Sequence, residues 1–126
     1  MMKIFGIGTD IIEVERVKKA IERSENFKNR VFSTEEIIIC NNKAKPYQSY
    51  AARFAAKEAI FKAMGTGWAD GVAWTDISIF QEKNGKPIAN VYGKVKEFFD
   101  KEDIKNIHIS MSHLKEYAIA YVILES

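Results

Sequence analysis

The stretch Tyr47-Gln48-Ser49-Tyr50-Ala51-Ala52-Arg53-Phe54-Ala55-Ala56-Lys57-Glu58-Ala59-Ile60-Phe61-Lys62-Ala63-Met64, closed by Gly65, decides how this chain must fold. Its alanine content gives high helix propensity, and glycine is the usual residue just past a helix C-terminus. At about 100° per residue Phe54, Glu58 and Phe61 share a narrow arc, so a carboxylate sits inside an apolar stripe. Ala56, Ala59, Ile60, Ala63 and Met64 cover much of the remaining circumference, which predicts a central helix buried on most sides. Its few charges then need partners, because an unpaired buried carboxylate is costly. Glu58 has two readings: a surface pair with Lys62 one turn on, or a ligand to a divalent cation. Bound phosphate would serve Lys62, and Arg53 or Lys57, in the same way. Magnesium takes one or two carboxylates with water and substrate phosphate, so the second reading needs another acid from elsewhere.

Asp10 is the best candidate. Ile4 to Ile12 reads as a β-branched strand whose period-two geometry places Gly6, Gly8 and Asp10 on one face. The two bare positions leave room for a chain segment or ligand to approach closely. The competing reading makes Asp10 the cap of the next helix, Glu13 to Arg23, whose Val14, Val17 and Ile21 form one apolar stripe. Gly-Ile-Gly-Thr-Asp has the spacing of neither a dinucleotide fingerprint nor a P-loop.

Phe27 to Cys40 is mixed, with Ser33-Thr34-Glu35-Glu36 resembling a helix N-terminus. Asn41 to Pro46 reads as a loop and Thr66 to Gly71 as a glycine-punctuated connection. Strands follow at Thr75 to Phe80 and Ile88 to Tyr92 across an Asn84-Gly85 turn, then a helix near Lys94 to Lys101, then strands at Ile107 to Met111 and Tyr117 to Leu124. The pattern predicts one α+β domain over residues 1–126, with an antiparallel sheet packed around the long central helix.

Bulk properties narrow the classes. The 126 residues, 47% hydrophobic, suit a single domain with its own core, and a net charge of +2 is too small for a dedicated nucleic-acid or membrane protein. Cys40 has no partner cysteine, which excludes a disulfide framework and fits a reducing compartment. No apolar run approaches the roughly 18 residues of a membrane span, and the N-terminus meets an acid too early for a signal peptide, so a cytoplasmic protein is expected.

Two further clusters carry charge or chemistry. Arg16, Lys19 and Arg23 line one side of the first helix, followed by Lys28 and Arg30; the row suits an acidic partner surface or phosphates, while a solvated face is the plainer explanation. Ser112 and His113 are neighbours on a strand, so they point to opposite faces and cannot easily share a proton. With no Gly-x-Ser-x-Gly elbow, a hydrolase triad is disfavoured, leaving His113 as a phosphate or base contact or a structural residue.

In order along the chain, Gly6-Ile7-Gly8-Thr9-Asp10-Ile11 with Arg16, Arg53-Phe54-Ala55-Ala56-Lys57-Glu58-Ala59 with Lys62-Ala63-x-Gly65-x-Gly67, Trp74-Thr75-Asp76-Ile77, Asn84-Gly85-Lys86-Pro87 and Ser110-Met111-Ser112-His113 resemble the motif blocks of the small 4'-phosphopantetheinyl transferases of the holo-[acyl-carrier-protein] synthase family. The resemblance implies that family's fold with one lobe per chain, and transfer of 4'-phosphopantetheine from coenzyme A to a serine of an apo acyl carrier protein, in support of fatty acid biosynthesis. It implies that Asp10 and Glu58 hold Mg2+ and that Asp10, Glu58 and Lys62 are catalytic. Coenzyme A would be held by Arg53, Lys62 and Gly65, by the Asn84, Gly85, Lys86 and Pro87 turn near the adenine, and by Ser112 and His113. Arg16, Lys19, Arg23 and Phe27 look like the docking surface for the acidic helix of the carrier protein. Family members are similar to one another in forming homotrimers with sites between subunits. The segment Thr34 to Tyr50 matches loosely and receives no role. Two readings compete: a non-enzymatic module whose basic helix binds nucleic acid or an acidic protein, which leaves Asp10 and Glu58 unexplained, and a metal-dependent phosphohydrolase using the same acids.

Overall fold

The structure, a computed structural model, describes residues 2–65 and 71–126. Gly67 and most of the expected connection after the central helix lie outside the described residues. Ile4–Glu13 forms strand β1, with Gly6, Gly8 and Asp10 on one face as alternation predicts. That face lies on helix α4, Pro46–Met64, which follows helices α1 (Val14–Arg23), α2 (Glu25–Val31) and α3 (Thr34–Asn41). A methyl placed on Gly6 would sit 1.9 Å from the Ala63 carbonyl oxygen, and one on Gly8 would sit 1.8 Å from that of Ala59. Strand and helix backbones therefore touch directly, and the small residues on both sides are what permits it.

Strands β4 (Asn106–His113) and β5 (Tyr117–Glu125) complete an antiparallel sheet of order β1-β5-β4. Gly8 stands opposite Val122 and Asp10 opposite Ala120. Ala118, Ala120, Val122 and Leu124 turn inward beneath α4 and are fully buried. Strands β2 (Ile77–Gln81) and β3 (Pro87–Val91) form a separate antiparallel hairpin, and helix α5, Gly93–Lys101, returns the chain to β4. Gly85 supplies the left-handed residue of the hairpin turn at φ 88°. The expected helix over 47–64 is thus present and, as its composition implies, buried along most of its length, between one core cluster under the sheet and another formed with α1 to α3. No helix among the described residues is long and apolar enough to cross a membrane.

Two local expectations change. The mixed stretch resolves into α2 and α3, each started by a serine: Phe27 N donates to Ser24 Oγ at 3.3 Å, and Ser33 and Glu36 form a reciprocal capping box. Thr75 and Asp76 belong not to a strand but to a 3-10 turn, Trp74–Asp76, because the Asp76 carboxylate folds back to accept from Ala73 N at 3.1 Å. The remaining elements keep their expected places to within two residues.

Candidate active site

Asp10 reaches the site because it lies one period beyond Gly8 on the face of β1 that packs on α4. It is no helix cap: α1 takes Glu13 at that position, without a side-chain bond. From α4, Lys62 donates to Asp10 Oδ1 and to the Thr9 carbonyl, both at 3.0 Å. Lys62 thus pairs across elements with Asp10, and among the described residues no ion pair joins it to Glu58. Burial, and then the charge of Asp10, push the Glu58 carboxyl above the usual range, with Lys62 partly opposing. Two acids 48 positions apart in sequence therefore share one electrostatic site.

Two hard oxygen donors that repel each other fit a divalent cation, and with no cluster of three such ligands among the described residues the set matches magnesium's habit of taking one or two carboxylates and completing its shell with water and phosphate oxygens. The Glu58 shift has a testable consequence for stability. Its folded pKa lies above the unfolded value, so ionising it disfavours the fold, and the stabilising contribution present below the unfolded pKa of about 4.5 is lost as pH rises through the folded value. Without divalent cations, Glu58→Gln is expected to melt higher than the parent at pH 7, with the gap closing as pH falls toward 4.5. Calorimetric scans at several pH values check this.

A second feature lies on another side of α4. A cleft of about 430 Å³ is lined by Lys43, Lys45, Arg53, Gly85, Pro87 and His113, among others. Arg53 is 1% exposed; its Nε donates to the Ile79 carbonyl at 3.1 Å and its Nη1 to Ser49 Oγ at 2.6 Å. Its Nη2 is buried without a hydrogen-bond partner among the described residues, and Arg53 lines the cleft, so an anion bound there would meet its positive charge. Lys43 and Lys45 add two more cations from the segment to which sequence reasoning gave no role. The signal was visible in retrospect: lysines either side of Ala44, directly before Pro46 opens the helix that carries Arg53.

Several expected residues stand elsewhere. Lys57, considered as a phosphate ligand beside Arg53, is corrected: it is fully buried, with Nζ 2.6 Å from Glu36 Oε1, and also donates to the Val31 and Trp74 carbonyls. Gly65 caps α4 in the left-handed conformation, its N–H shared by the Phe61 and Lys62 carbonyls. Asn84 Oδ1 accepts from Lys86 N, shaping the turn, and Lys86 borders a different groove, beside α5. Ser112 follows the outward face of β4 while Met111 and His113 reach the cleft. Arg53 and Lys62 are nine positions apart, which is about half a turn around the helix, so one chain does not bring its acid pair and its cleft to a common face. On α1, Arg16, Lys19 and Arg23 are exposed, and none forms an ion pair among the described residues. Phe27 is half-buried, its ring 6.4 Å from that of Phe54.

Fold and site together define a small α+β domain carrying an acid pair on one side of its central helix and a basic cleft on another. The family model for the 4'-phosphopantetheinyl transferase superfamily matches residues 6–122, and the chain belongs to that superfamily. Within it, the chain is similar to the holo-[acyl-carrier-protein] synthase of Ruminiclostridium cellulolyticum, 48% identical over 120 residues covering 94% of this chain and 90% of the relative. Among solved structures, the Neisseria meningitidis holo-[acyl-carrier-protein] synthase superposes with a TM-score of 0.90 at 32% identity, covering 98% of this chain and 100% of that one. The Helicobacter pylori holo-[acyl-carrier-protein] synthase in complex with coenzyme A superposes at 0.82 with 33% identity, covering 94% and 98%.

Proposed function

We propose that this chain is a holo-[acyl-carrier-protein] synthase, transferring 4'-phosphopantetheine from coenzyme A to a serine of apo acyl carrier protein and releasing adenosine 3',5'-bisphosphate, in the cytoplasm and in support of fatty acid biosynthesis. The observation that carries the reading is the convergence of Asp10 and Glu58 beside Lys62. Asp10 and Glu58 would hold Mg2+, which when bound neutralises charge on the pyrophosphate. Lys62 would stabilise the departing bisphosphate, whose bond to the β-phosphorus breaks as the serine oxygen forms its own. Arg53, Lys43, Lys45 and His113, which line one cleft, would supply donors for the nucleotide phosphates, and Gly85 and Pro87 of the same lining would take the adenine end. This is transfer without a covalent enzyme intermediate.

Placement of the acid pair and the cleft on opposite sides of α4 favours a site completed by a second copy, in a homotrimer. The outward sheet face supports that arrangement: Ile7 stands opposite Ile123 and Ile11 opposite Ile119, and Ile7, Ile11 and Tyr121 are each more than half exposed. The unpaired cations Arg16, Lys19 and Arg23, with Phe27 close by, suit the acidic helix of a carrier protein. Arg16→Glu combined with Arg23→Glu is expected to raise the carrier Kd by about tenfold at low salt, less at high salt, and to leave coenzyme A binding unchanged. Titrations at two ionic strengths check it.

Mass spectrometry tests the whole reading. With coenzyme A and magnesium, an apo carrier protein is expected to gain about 340 Da, the mass of one transferred phosphopantetheine group. Cleavage of coenzyme A without carrier modification would favour a phosphohydrolase, and no change in either would favour a binding module.

A further inference from the structure

Strand β2 pairs with β3 on one edge only. Tyr92 N donates to the Asp76 carbonyl at 2.7 Å and Glu82 N to that of Lys86 at 2.9 Å. Antiparallel alternation from those two pairs turns the N–H and C=O of Ile77, Ile79 and Gln81 toward the other edge, where no strand of the described residues lies. An edge inside a protein must still satisfy its backbone. Ile79 is fully buried, and side chains do the work: its N–H donates to Glu36 Oε2 at 2.9 Å, and its carbonyl accepts from Arg53 Nε at 3.1 Å.

Glu36 is the hub of this arrangement. Besides Ile79, it accepts from Ser33 N at 2.9 Å and pairs with Lys57 Nζ at 2.6 Å, and it is itself fully buried. Three walls of the basic cleft meet at this one carboxylate. Helix α3, whose first turn holds Glu36, leads into Lys43 and Lys45; α4, reached through Lys57, carries Arg53; and β2, reached through Ile79, leads through Gln81 to Gly85 and Pro87. The bond between Ser33 Oγ and Ser78 Oγ, 2.7 Å long, ties the same α3 and β2 a second time.

We propose that Glu36 is a positioning residue for the basic cleft: acting through Lys57 and the Ile79 amide, it sets the spacing of the lysine segment, Arg53 and the hairpin on which nucleotide affinity depends. The inference rests on the reading that this cleft takes the nucleotide of coenzyme A. Glu36 is fully buried and is not among the residues lining the cleft, and its bonds do not include Asp10 or Glu58.

The test uses the full-length protein with Glu36→Gln, which keeps the shape but loses the charge, and with Glu36→Asp, which keeps the charge but is one methylene too short to hold both Lys57 and Ile79. Ile104→Ala, a core change that is not among the lining of the cleft, controls for general loss of stability. For both Glu36 variants, KM for coenzyme A is expected to rise at least about tenfold with kcat within about threefold, and calorimetric Kd for adenosine 3',5'-bisphosphate to rise by the same factor. The control should leave both unchanged. An unchanged KM in either folded variant, an equal rise in the control, or failure of both variants to fold at 25 °C overturns the proposal, the last by making Glu36 a stability element only. Lys45→Ala and His113→Ala separate the two layers: if neither weakens binding of the bisphosphate by the parent protein, the cleft reading falls and this inference with it.

Discussion

Replacing Glu58 by glutamine is expected to reduce phosphopantetheine transfer by about 10³-fold or more while leaving the fold intact. The amide matches the carboxylate in shape but brings no charge, so it cannot share a dication with Asp10. The structural cost is small because Glu58 holds nothing together: Lys62 bonds to Asp10 and Thr9, and the capping and core contacts of α4 lie on other positions. Relief of the cost of burying the Glu58 charge, and of its repulsion from Asp10, should even raise stability at neutral pH. Loss of activity in a more stable protein separates a catalytic role from a structural one. Carrier mass and circular dichroism on the same sample measure both, and turnover retained at saturating magnesium would remove Glu58 from the mechanism.

The largest structural effect is expected at Gly8. A methyl there would lie 1.8 Å from the Ala59 oxygen and 2.8 Å from its carbonyl carbon, both backbone atoms of the central helix. Neither side can yield cheaply. β1 is held in register with β5, Gly8 facing Val122, and α4 is buried on both sides of the contact. Gly8→Ala should therefore cost about 4 kcal/mol or more, or prevent folding, since overpacking against rigid backbone is among the few mechanisms that reach such values. Gly65→Ala is the contrast: among the described residues, its chain neighbours and own helix backbone aside, no atom lies within 4 Å of the added methyl, and the positive φ of 81° is penalised at about 1–2 kcal/mol. Chemical denaturation of the two variants measures the difference. Because Gly8 and Asp10 share one face of β1, the close approach that forbids a side chain at position 8 also brings the carboxylate at position 10 against α4, where Lys62 bonds it.

Much of this was legible in the sequence because it depends on periodicity and local chemistry. The length of α4, the glycine face of β1, the serine that starts α3 and the Asn84-Gly85 hairpin each follow from residues within one or two turns of one another. The acid pair was legible for a different reason: a carboxylate within an apolar stripe asks for a partner, and Asp10 was the acid that bare neighbours left room to approach.

Which charges of α4 face which surroundings is another matter. Lys57 and Glu58 are adjacent, about 100° apart around the helix, and nothing local says that the lysine is sealed beneath Glu36 while the glutamate faces Asp10. Packing decided that, by laying α3 and β2 over one side of α4 and β1 over another. The same packing buried Arg53 Nη2 without a hydrogen-bond partner among the described residues and brought Arg53, Lys43 and Lys45 to the lining of one cleft. By itself the sequence determined the elements and singled out the two acids as candidates; only the tertiary structure decided which side chains stay open to a site and which became clamps, because burial belongs to the neighbours of a side chain and not to the residue.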